Sequence, residues 1–293
     1  MSVTLTAARG PQWREKLAYL AYQIRRSPLT MAGLTISLIV LLCMIFAPWL
    51  ASHDPNALDL AARLMPPSAE HWFGTDEVGR DLFSRVLFGS QQSVGVGLFV
   101  AFASCFIGGL LGCFSGVIGG RFDALIMRLM DIMLSVPSLV LIMALAAALG
   151  ASLFNAMLAI TLVRIPSYVR LARGQALSIR QMGYVKAAQT FGAGRWHMVH
   201  WHVARNAMPP LLVQLSLDIG SAILMASALG FIGLGAQQPT AEWGAMVATG
   251  RNYILDNWWY STFPGLAILI TATGFNLLGD GVRDLLDPRQ QGK

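Results

Sequence analysis

Residues 94–116 read VGVGLFVAFASCFIGGLLGCFSG, and none of them carries a charged side chain. At a rise of about 1.5 Å per residue, an α-helix of about 20 such residues covers the hydrocarbon core of a bilayer, which is about 30 Å thick. Lipid offers the backbone no hydrogen-bond partner, so a segment in lipid has to satisfy its own backbone groups, as a helix does. This stretch therefore predicts a transmembrane helix.

Five further stretches have the same apolar character. The 293-residue chain as a whole is 55% hydrophobic and only 12% charged, which is too apolar for a soluble protein of this length. An open sheet would leave an unpaired edge in lipid, so the fold class is predicted to be all-α, a polytopic membrane protein with about six transmembrane helices. The predicted spans are 31–50, 94–116, 125–150, 152–172, 210–230 and 262–278.

The basic residues predict the orientation in the membrane, because Lys and Arg resist translocation. Five of them precede the first span, which places the N-terminus in the cytoplasm. With six crossings from there, 17 of the 21 Lys and Arg residues are cytoplasmic, and only Arg63, Arg80, Arg85 and Arg251 lie outside. Both termini are therefore predicted to be cytoplasmic. The net charge of +6 follows from this topology, so no nucleic-acid partner is expected.

The spans divide the chain into five segments. A cytoplasmic N-terminal segment (1–30) is followed by the first helix (31–50), a periplasmic loop (51–93), a five-helix core (94–283) and a cytoplasmic tail (284–293). Within the N-terminal segment, apolar residues at helical spacing over 12–26 predict an interfacial helix, with a solvated lead-in as the alternative. Within the core, the segment 174–205 is too polar to cross a bilayer and is expected to form a cytoplasmic helix–turn–helix.

The second predicted span carries Gly108, Gly112 and Gly116 at intervals of four residues. Residues at this spacing lie on one face of a helix, and a face without side chains lets another helix approach closely. We interpret the three glycines as a packing face.

Four blocks of sequence carry a resemblance to a known family. They are HWFGTDEVGRD at 71–81, YVKAA at 184–188 followed by Gly192, FIGLGAQQP at 231–239 followed by EWG at 242–244, and NLLGDG at 276–281 followed by Arg283, Asp284, Asp287 and Pro288. In these blocks the chain resembles the inner-membrane permease subunits of binding-protein-dependent ABC importers of the dipeptide, oligopeptide and nickel group. Within that group, the chain most resembles the permease subunits for D-alanyl-D-alanine-type dipeptides, with which it shares Arg195-Trp196-His197 and the arginine at position 205.

The resemblance implies an ABC importer type I permease fold in the bacterial cell inner membrane. It also implies four kinds of partner: two ATP-binding subunits, a second homologous permease subunit, a periplasmic substrate-binding protein and the lipid bilayer. Small peptides are the implied cargo, D,D-dipeptides among them, and nickel or glutathione are the alternatives within the same family. The chain contains no G-x-x-x-x-G-K-[ST] motif, so it is not expected to be an enzyme or to bind a cofactor, and its partners would hydrolyse ATP.

The family also supplies an interpretation of the segment 174–205. A loop with Glu-Ala-Ala and a later glycine docks on the ATPase in that family, and the corresponding residues here are Tyr184, Lys186, Ala187, Ala188, Gly192, Arg195 and Arg205. Two positions depart from the pattern, because Lys186 replaces the usual Glu and Val203-Ala204-Arg205 replaces Ile-x-Leu-Pro. The reversed charge at Lys186 predicts an ATPase with matching acidic residues.

Arg164 and Asp218 are candidates for the substrate path, because a charge within a membrane span is costly and is usually functional. Arg164 either faces the cavity and meets a peptide carboxylate, or it snorkels to the inner interface. Asp218 is interpreted as structural, capping or pairing near the cytoplasmic end of its helix. No metal site is expected at His197, His200 and His202, since no carboxylate or thiol accompanies them.

Two other classes of membrane protein are weighed against this one. A secondary transporter usually contains inverted repeats, and the halves of this chain show no internal similarity. An intramembrane hydrolase would need a Ser–His pair, an Asp–Asp pair or an H-E-x-x-H motif within the bilayer. The predicted spans contain no histidine and the zinc motif is absent, so a permease is favoured.

Overall fold

The structure, a computed structural model, describes residues 27–286, and these form helices joined by loops with no β-strand among them. The all-α fold class is confirmed. The predictions for 12–26 and for the tail beyond 286 lie outside the described residues.

The helices are α1 (Pro28–Leu50), α2 (Leu82–Ile118), α3 (Gly120–Leu134), α4 (Ser138–Leu149), α5 (Leu153–Arg180), α6 (Gly183–Thr190), α7 (Arg195–Ile232, π-helical over Met198–Ala204), α8 (Trp243–Gly250) and α9 (Trp259–Leu286). Short 3₁₀ turns lie at Leu60–Ala62 and Arg251–Tyr253.

Four helices, α1, α2, α7 and α9, are long and apolar enough to cross a membrane. Helices α3 and α4 reach that length only as a pair, and they are bent by 92° where they meet. The prediction of one continuous helix over 125–150 is therefore wrong. Pro137 explains the break, because proline lacks the backbone N–H that a helix interior needs and disfavours helical backbone at the residue before it.

The predicted span 152–172 lies within α5, which has 28 residues but is not among the helices apolar enough to be candidate spans. Four arginines on α5 lower its hydropathy: Arg164, Arg170, Arg173 and Arg180. The described residues thus give four candidate spans, or five with the bent pair, and six crossings stay a prediction. Helix α5 nevertheless lies at the centre of the bundle, where it packs against α2, α3, α4 and α7.

Helix α2 begins at Leu82 rather than at the predicted 94, so the external loop is shorter than expected. The Asp81 side chain caps the helix by accepting a hydrogen bond from the backbone N–H of Ser84 at 2.8 Å. The loop before it is ordered by the buried Asp76 carboxylate, which lies 2.6 Å from Arg80 Nε and 3.6 Å from Arg85 Nε. The polar first turns of α2 are buried against protein, which is why hydropathy alone did not reveal them.

The glycines of α2 form the predicted packing face against α5. A Cβ atom at Gly112 would lie 2.4 Å from the carbonyl oxygen of Val169, and one at Gly116 would lie 2.5 Å from Ala176 Cβ. Distances this short leave no room for a methyl group, so the two backbones touch. The interpretation of Gly108, Gly112 and Gly116 as a close-packing ridge is confirmed.

Helix α8 is inserted between α7 and α9 and is capped by a buried glutamate. The Glu242 carboxylate accepts hydrogen bonds from Gly244 N–H at 2.9 Å, Ala245 N–H at 2.8 Å and Ser93 Oγ at 3.1 Å. Burial raises the pKa of Glu242, and these three donors oppose that shift by favouring the carboxylate. The EWG block thus holds α8 against the first half of α2.

The glycine ridge yields a stability prediction. We expect Gly112→Ala to destabilise the protein by about 1–3 kcal/mol, because the added methyl group would push α2 away from the α5 backbone. The measurement is the free energy of unfolding of the purified protein in detergent micelles, obtained by denaturant titration.

Gly109 provides the matched control, since a Cβ there would lie at an ordinary 3.4 Å from the flexible end of Leu211. Gly109→Ala should be neutral or stabilising by about 0.5–1 kcal/mol through helix propensity. Equal effects of the two substitutions would contradict a specific contact at Gly112.

Candidate functional site

The short helix α6 is held to the bundle by one buried side chain and exposes the rest of its surface. Val185 is fully buried in a cluster with Ala172 and Ala176 of α5 and Met198 and Val199 of α7. Tyr184, Lys186 and Ala187 are exposed, and Ala188 is half-buried. Asn206 of α7 donates a hydrogen bond to the Tyr184 hydroxyl at 3.1 Å. Helix α6 is therefore attached to both α5 and α7 while its outer face stays free for a partner.

Gly192 ends α6 in a left-handed turn with φ of +84°. The Ala193 N–H donates to the Ala188 carbonyl and the Gly192 N–H to the Gln189 carbonyl, each at 3.0 Å, which is the hydrogen-bond pattern of a Schellman motif. A Cβ atom at Gly192 would meet no other atom within 4 Å. Glycine is therefore favoured here by the backbone angle and not by lack of space within this chain.

Large aromatic side chains are exposed around this turn. Phe191 is 91% exposed, Trp196 68% and Trp201 51%. A shallow concavity of about 470 Å³ lies beside them, lined by Ala188, Phe191, Gly192, Ala193, Gly194 and His197. Exposed apolar groups of this size in a polar segment mark an interaction surface. Sequence reasoning missed Phe191, although an aromatic residue directly before a helix-ending glycine in a polar segment is the signal that could have found it.

The remaining predicted residues of the segment lie on its exposed side. Arg195 and Arg205 are both exposed, and the Arg205 guanidinium lies 5.2 Å from the ring centroid of Trp201. The His197 ring packs edge-on against His202, with 5.5 Å between their centroids. Among residues 27–286, the one group of three possible metal ligands lies elsewhere, in the segment between α1 and α2.

A second candidate site pairs Arg164 of α5 with Asp218 of α7. Arg164 Nη1 lies 3.5 Å from Asp218 Oδ1, and Arg164 Nη2 donates to Ser221 Oγ at 2.8 Å. Arg164 therefore reaches across to α7 and does not extend along its own helix to an interface. Asp218 forms the predicted pairing, but it lies past the middle of α7 rather than near a helix end, because α7 runs unbroken from Arg195.

Three further polar residues complete this group and were not predicted. Gln214 Nε2 donates to Asp218 Oδ1 at 3.2 Å, and the other carboxylate oxygen of Asp218 and the Tyr168 hydroxyl are buried without a hydrogen-bond partner. The signal in the sequence is helical spacing, since Gln214, Asp218 and Ser221 share one face of α7. Tyr168 lies one turn after Arg164 on α5. The arrangement places a partly exposed cation beside a buried acceptor that has free hydrogen-bonding capacity.

Comparison with known families shows the family to which this chain belongs. Residues 108–292 match the binding-protein-dependent transport system inner membrane component family, and residues 16–67 match the N-terminal TM domain of oligopeptide transport permease C. The chain belongs to this permease family. The family resemblance stated from the four sequence blocks is confirmed, and the secondary-transporter and hydrolase alternatives are set aside.

Relatives of this permease carry names from peptide transport. The Probable D,D-dipeptide transport system permease protein DdpC of Escherichia coli K12 is 70% identical over 290 residues, which are 98% of this chain and 97% of that protein. The Di/tripeptide transport system permease protein DppC of Pseudomonas aeruginosa is 45% identical over 265 residues, 88% of each chain. The Dipeptide transport system permease protein DppC of Alkalihalophilus pseudofirmus is 42% identical over 279 residues, 95% of this chain and 90% of its own.

The turn at Gly192 yields a prediction about transport by this permease. We expect Gly192→Val to abolish peptide uptake at normal membrane abundance, because a β-branched residue in a left-handed conformation costs about 1–2 kcal/mol or more and would displace the α6–α7 turn. Uptake is measured in cells that express the complete importer, with the permease quantified by immunoblot.

Gly192→Asn is the matched variant, because asparagine tolerates the left-handed conformation. It should retain most of the uptake if the backbone angle is what matters. Full uptake by the valine variant would show that the shape of this turn is not needed for transport.

Proposed function

We propose that this permease is a channel-forming subunit of an ABC importer that carries D,D-dipeptides across the bacterial cell inner membrane. The observation that carries the proposal is the 70% identity to the D,D-dipeptide permease over nearly the whole of both chains. The Arg164–Asp218 pair supports it, because a free dipeptide is a zwitterion with a carboxylate at one end and an ammonium at the other.

The environment of the pair suits a substrate that carries both charges. The Arg164 side chain is 24% exposed and that of Asp218 is 6% exposed. A guanidinium that reached lipid at this depth would be costly, so its exposed part should face a water-filled passage completed by a second permease subunit. A substrate carboxylate could then bind Arg164. Binding of the ammonium to Asp218 Oδ2, which is buried here without a hydrogen-bond partner, would require α5 and α7 to separate.

The partners in this proposal are two ATP-binding subunits, a second homologous permease and a periplasmic substrate-binding protein. The exposed face of α6 and the aromatic surface around Phe191 would dock on an ATP-binding subunit, and the exposed Lys186 favours an acidic residue on that partner. Val185 ties α6 to α5 and α7, the helices that carry Arg164 and Asp218. A rigid-body movement of α6 would therefore be passed to the pair by the helices themselves, as alternating access requires.

Transport of zwitterionic dipeptides can be tested in proteoliposomes that contain the complete importer and its binding protein. We expect ATP-dependent uptake of D-alanyl-D-alanine, competition by other D,D-dipeptides, and weak competition by derivatives with a blocked amino or carboxyl end. Arg164→Leu should lower kcat/KM by about 10–100-fold, the equivalent of one charged hydrogen bond of about 1.5–3 kcal/mol. Arg164→Lys should retain part of the uptake because it keeps the positive charge.

Arg170→Leu is the control, since Arg170 is an exposed arginine of the same helix that pairs instead with Asp131 at 2.6 Å. It should leave kcat/KM within about threefold of the wild type, as expected for an exposed ion pair. Equal loss in the Arg164 and Arg170 variants would remove Arg164 from the substrate path. Preference for L,L-dipeptides would contradict the proposed cargo while leaving the importer itself in place.

The orientation is also part of the proposal, with both termini and the segment 174–205 in the cytoplasm. In a variant without the three native cysteines, a cysteine at the exposed position Ser68 should react with an impermeant thiol reagent added to intact spheroplasts. A cysteine at the exposed position Ser178 should react only after the membrane is opened. Labelling in the reverse order would show that the chain is inserted the other way round.

A further inference from the structure

Two histidines and an aspartate from the segment between α1 and α2 meet at the proposed external side of the bundle. His53 follows the end of α1, His71 lies in the loop, and Asp81 caps the start of α2. His71 Nδ1 lies 2.9 Å from Asp81 Oδ1, and His53 Nδ1 lies 3.9 Å from the same oxygen. The two imidazole rings face each other with 4.9 Å between their centroids and 35° between their planes. We propose that His53, His71 and Asp81 form a binding site for a divalent transition-metal ion.

The distances suit a tetrahedral ion after small side-chain movements. For metal–ligand bonds of about 2.0–2.1 Å, neighbouring ligand atoms of a tetrahedron lie about 3.3 Å apart. The separations of 2.9 and 3.9 Å lie on either side of that value, and one potential ligand atom from each of the three residues lies within 4.8 Å of the others. An ion at the centre of the triangle would have three protein ligands and a fourth position open to water.

Surrounding hydrogen bonds fix the Asp81 carboxylate and the backbone of both histidines independently of any ion, while the His53 ring, whose Nδ1 lies 3.0 Å from Ser52 Oγ, would turn toward the ion. The Oδ2 atom of Asp81 is taken by the Ser84 N–H at 2.8 Å, which leaves Oδ1 directed at the histidines. The Ser84 hydroxyl accepts the backbone N–H of His53 at 3.1 Å, so the same residue positions two of the three ligands. The backbone of His71 is fixed by a turn in which Ser68 N–H donates to the His71 carbonyl at 2.8 Å. Partners of this kind orient ligands in metal sites.

The donor set selects the class of ion. Two imidazole nitrogens with one carboxylate oxygen suit Zn²⁺, Co²⁺, Ni²⁺ or Cu²⁺, whereas Mg²⁺ and Ca²⁺ prefer oxygen ligands alone. The Asp81 side chain is only 1% exposed and that of His71 12%, while that of His53 is 38% exposed and offers a way in from the external solvent. A bound ion would clamp the end of α1 to the beginning of α2.

The test measures Co²⁺ binding to the full-length chain in lipid nanodiscs, purified through a tag without histidine. The chain contains five histidines, so a background variant with glutamine at positions 197, 200 and 202 keeps only the two of the proposed site. We expect the d–d absorbance of tetrahedral Co²⁺ at one ion per chain, displaced by Zn²⁺. Loss of a group that hydrogen-bonds a metal ligand typically weakens metal binding by about 10–100-fold. Replacing a ligand itself should therefore weaken Co²⁺ binding by at least about that factor.

His53→Gln and Asp81→Asn are the decisive variants, because neither should unfold the protein. His53 is largely at the surface, and asparagine at position 81 remains a good helix cap while losing the negative charge. Both substitutions should reduce the affinity for Co²⁺. Zn²⁺ should raise the melting temperature of the background variant, because it binds the folded state, and this increase should disappear in both substituted proteins. Unchanged affinity in both variants, no binding by the background variant, or a thiolate-to-cobalt charge-transfer band would each overturn the proposal.

Discussion

The contact between the backbones of α2 and α5 is the constraint on which the rest of the bundle depends. Lipid is as apolar as a leucine side chain, so burial of apolar surface alone gives helices in a membrane little reason to associate. Contact at van der Waals distance provides that reason, and it requires faces without side chains. A Cβ at Gly108 would lie 2.6 Å from Tyr168 Cβ, and Gly112 and Gly116 continue the same contact along α5.

This contact gives a protein environment to a helix that lipid alone would not accept. Each of the four arginines of α5 finds an acceptor on a neighbouring helix. Arg164 pairs with Asp218 of α7, Arg170 with Asp131 and Arg173 with Asp123 of α3, and Arg180 reaches the Gly116 carbonyl at the end of α2. The partly buried pairs Arg164–Asp218 and Arg173–Asp123 tie α5 to α7 and to α3, because a buried charge left unpaired is costly, whereas the exposed Arg170–Asp131 pair adds little.

Helices α5 and α7 connect the two candidate sites, the one around α6 and the Arg164–Asp218 pair. Helix α6 and its aromatic surface are anchored in a cluster shared by α5 and α7, and Arg164 and Asp218 lie further along those helices. Under the proposed coupling, a rigid-body movement of α6 would change the spacing between α5 and α7 where the charged pair bridges them. The end of the bundle where α2 begins is built differently, with capped helix ends and hydrogen-bonded loops around Asp76, Asp81 and Glu242.

The sequence by itself determined the fold class and the family. Uncharged stretches of about 20 residues have to be helical in lipid, and four local blocks sufficed to identify the permease. The glycine ridge was also readable, because its spacing is local. Tertiary structure alone decided that α5, too polar for a simple span, lies at the centre, and that α2 begins at Leu82. It also decided that Arg164 meets Asp218 and that His53, His71 and Asp81 converge. Arg164 and Asp218 belong to different helices, and His53, His71 and Asp81 are separated by irregular loop, so no local spacing predicts these contacts. They depend on the packing of the whole bundle.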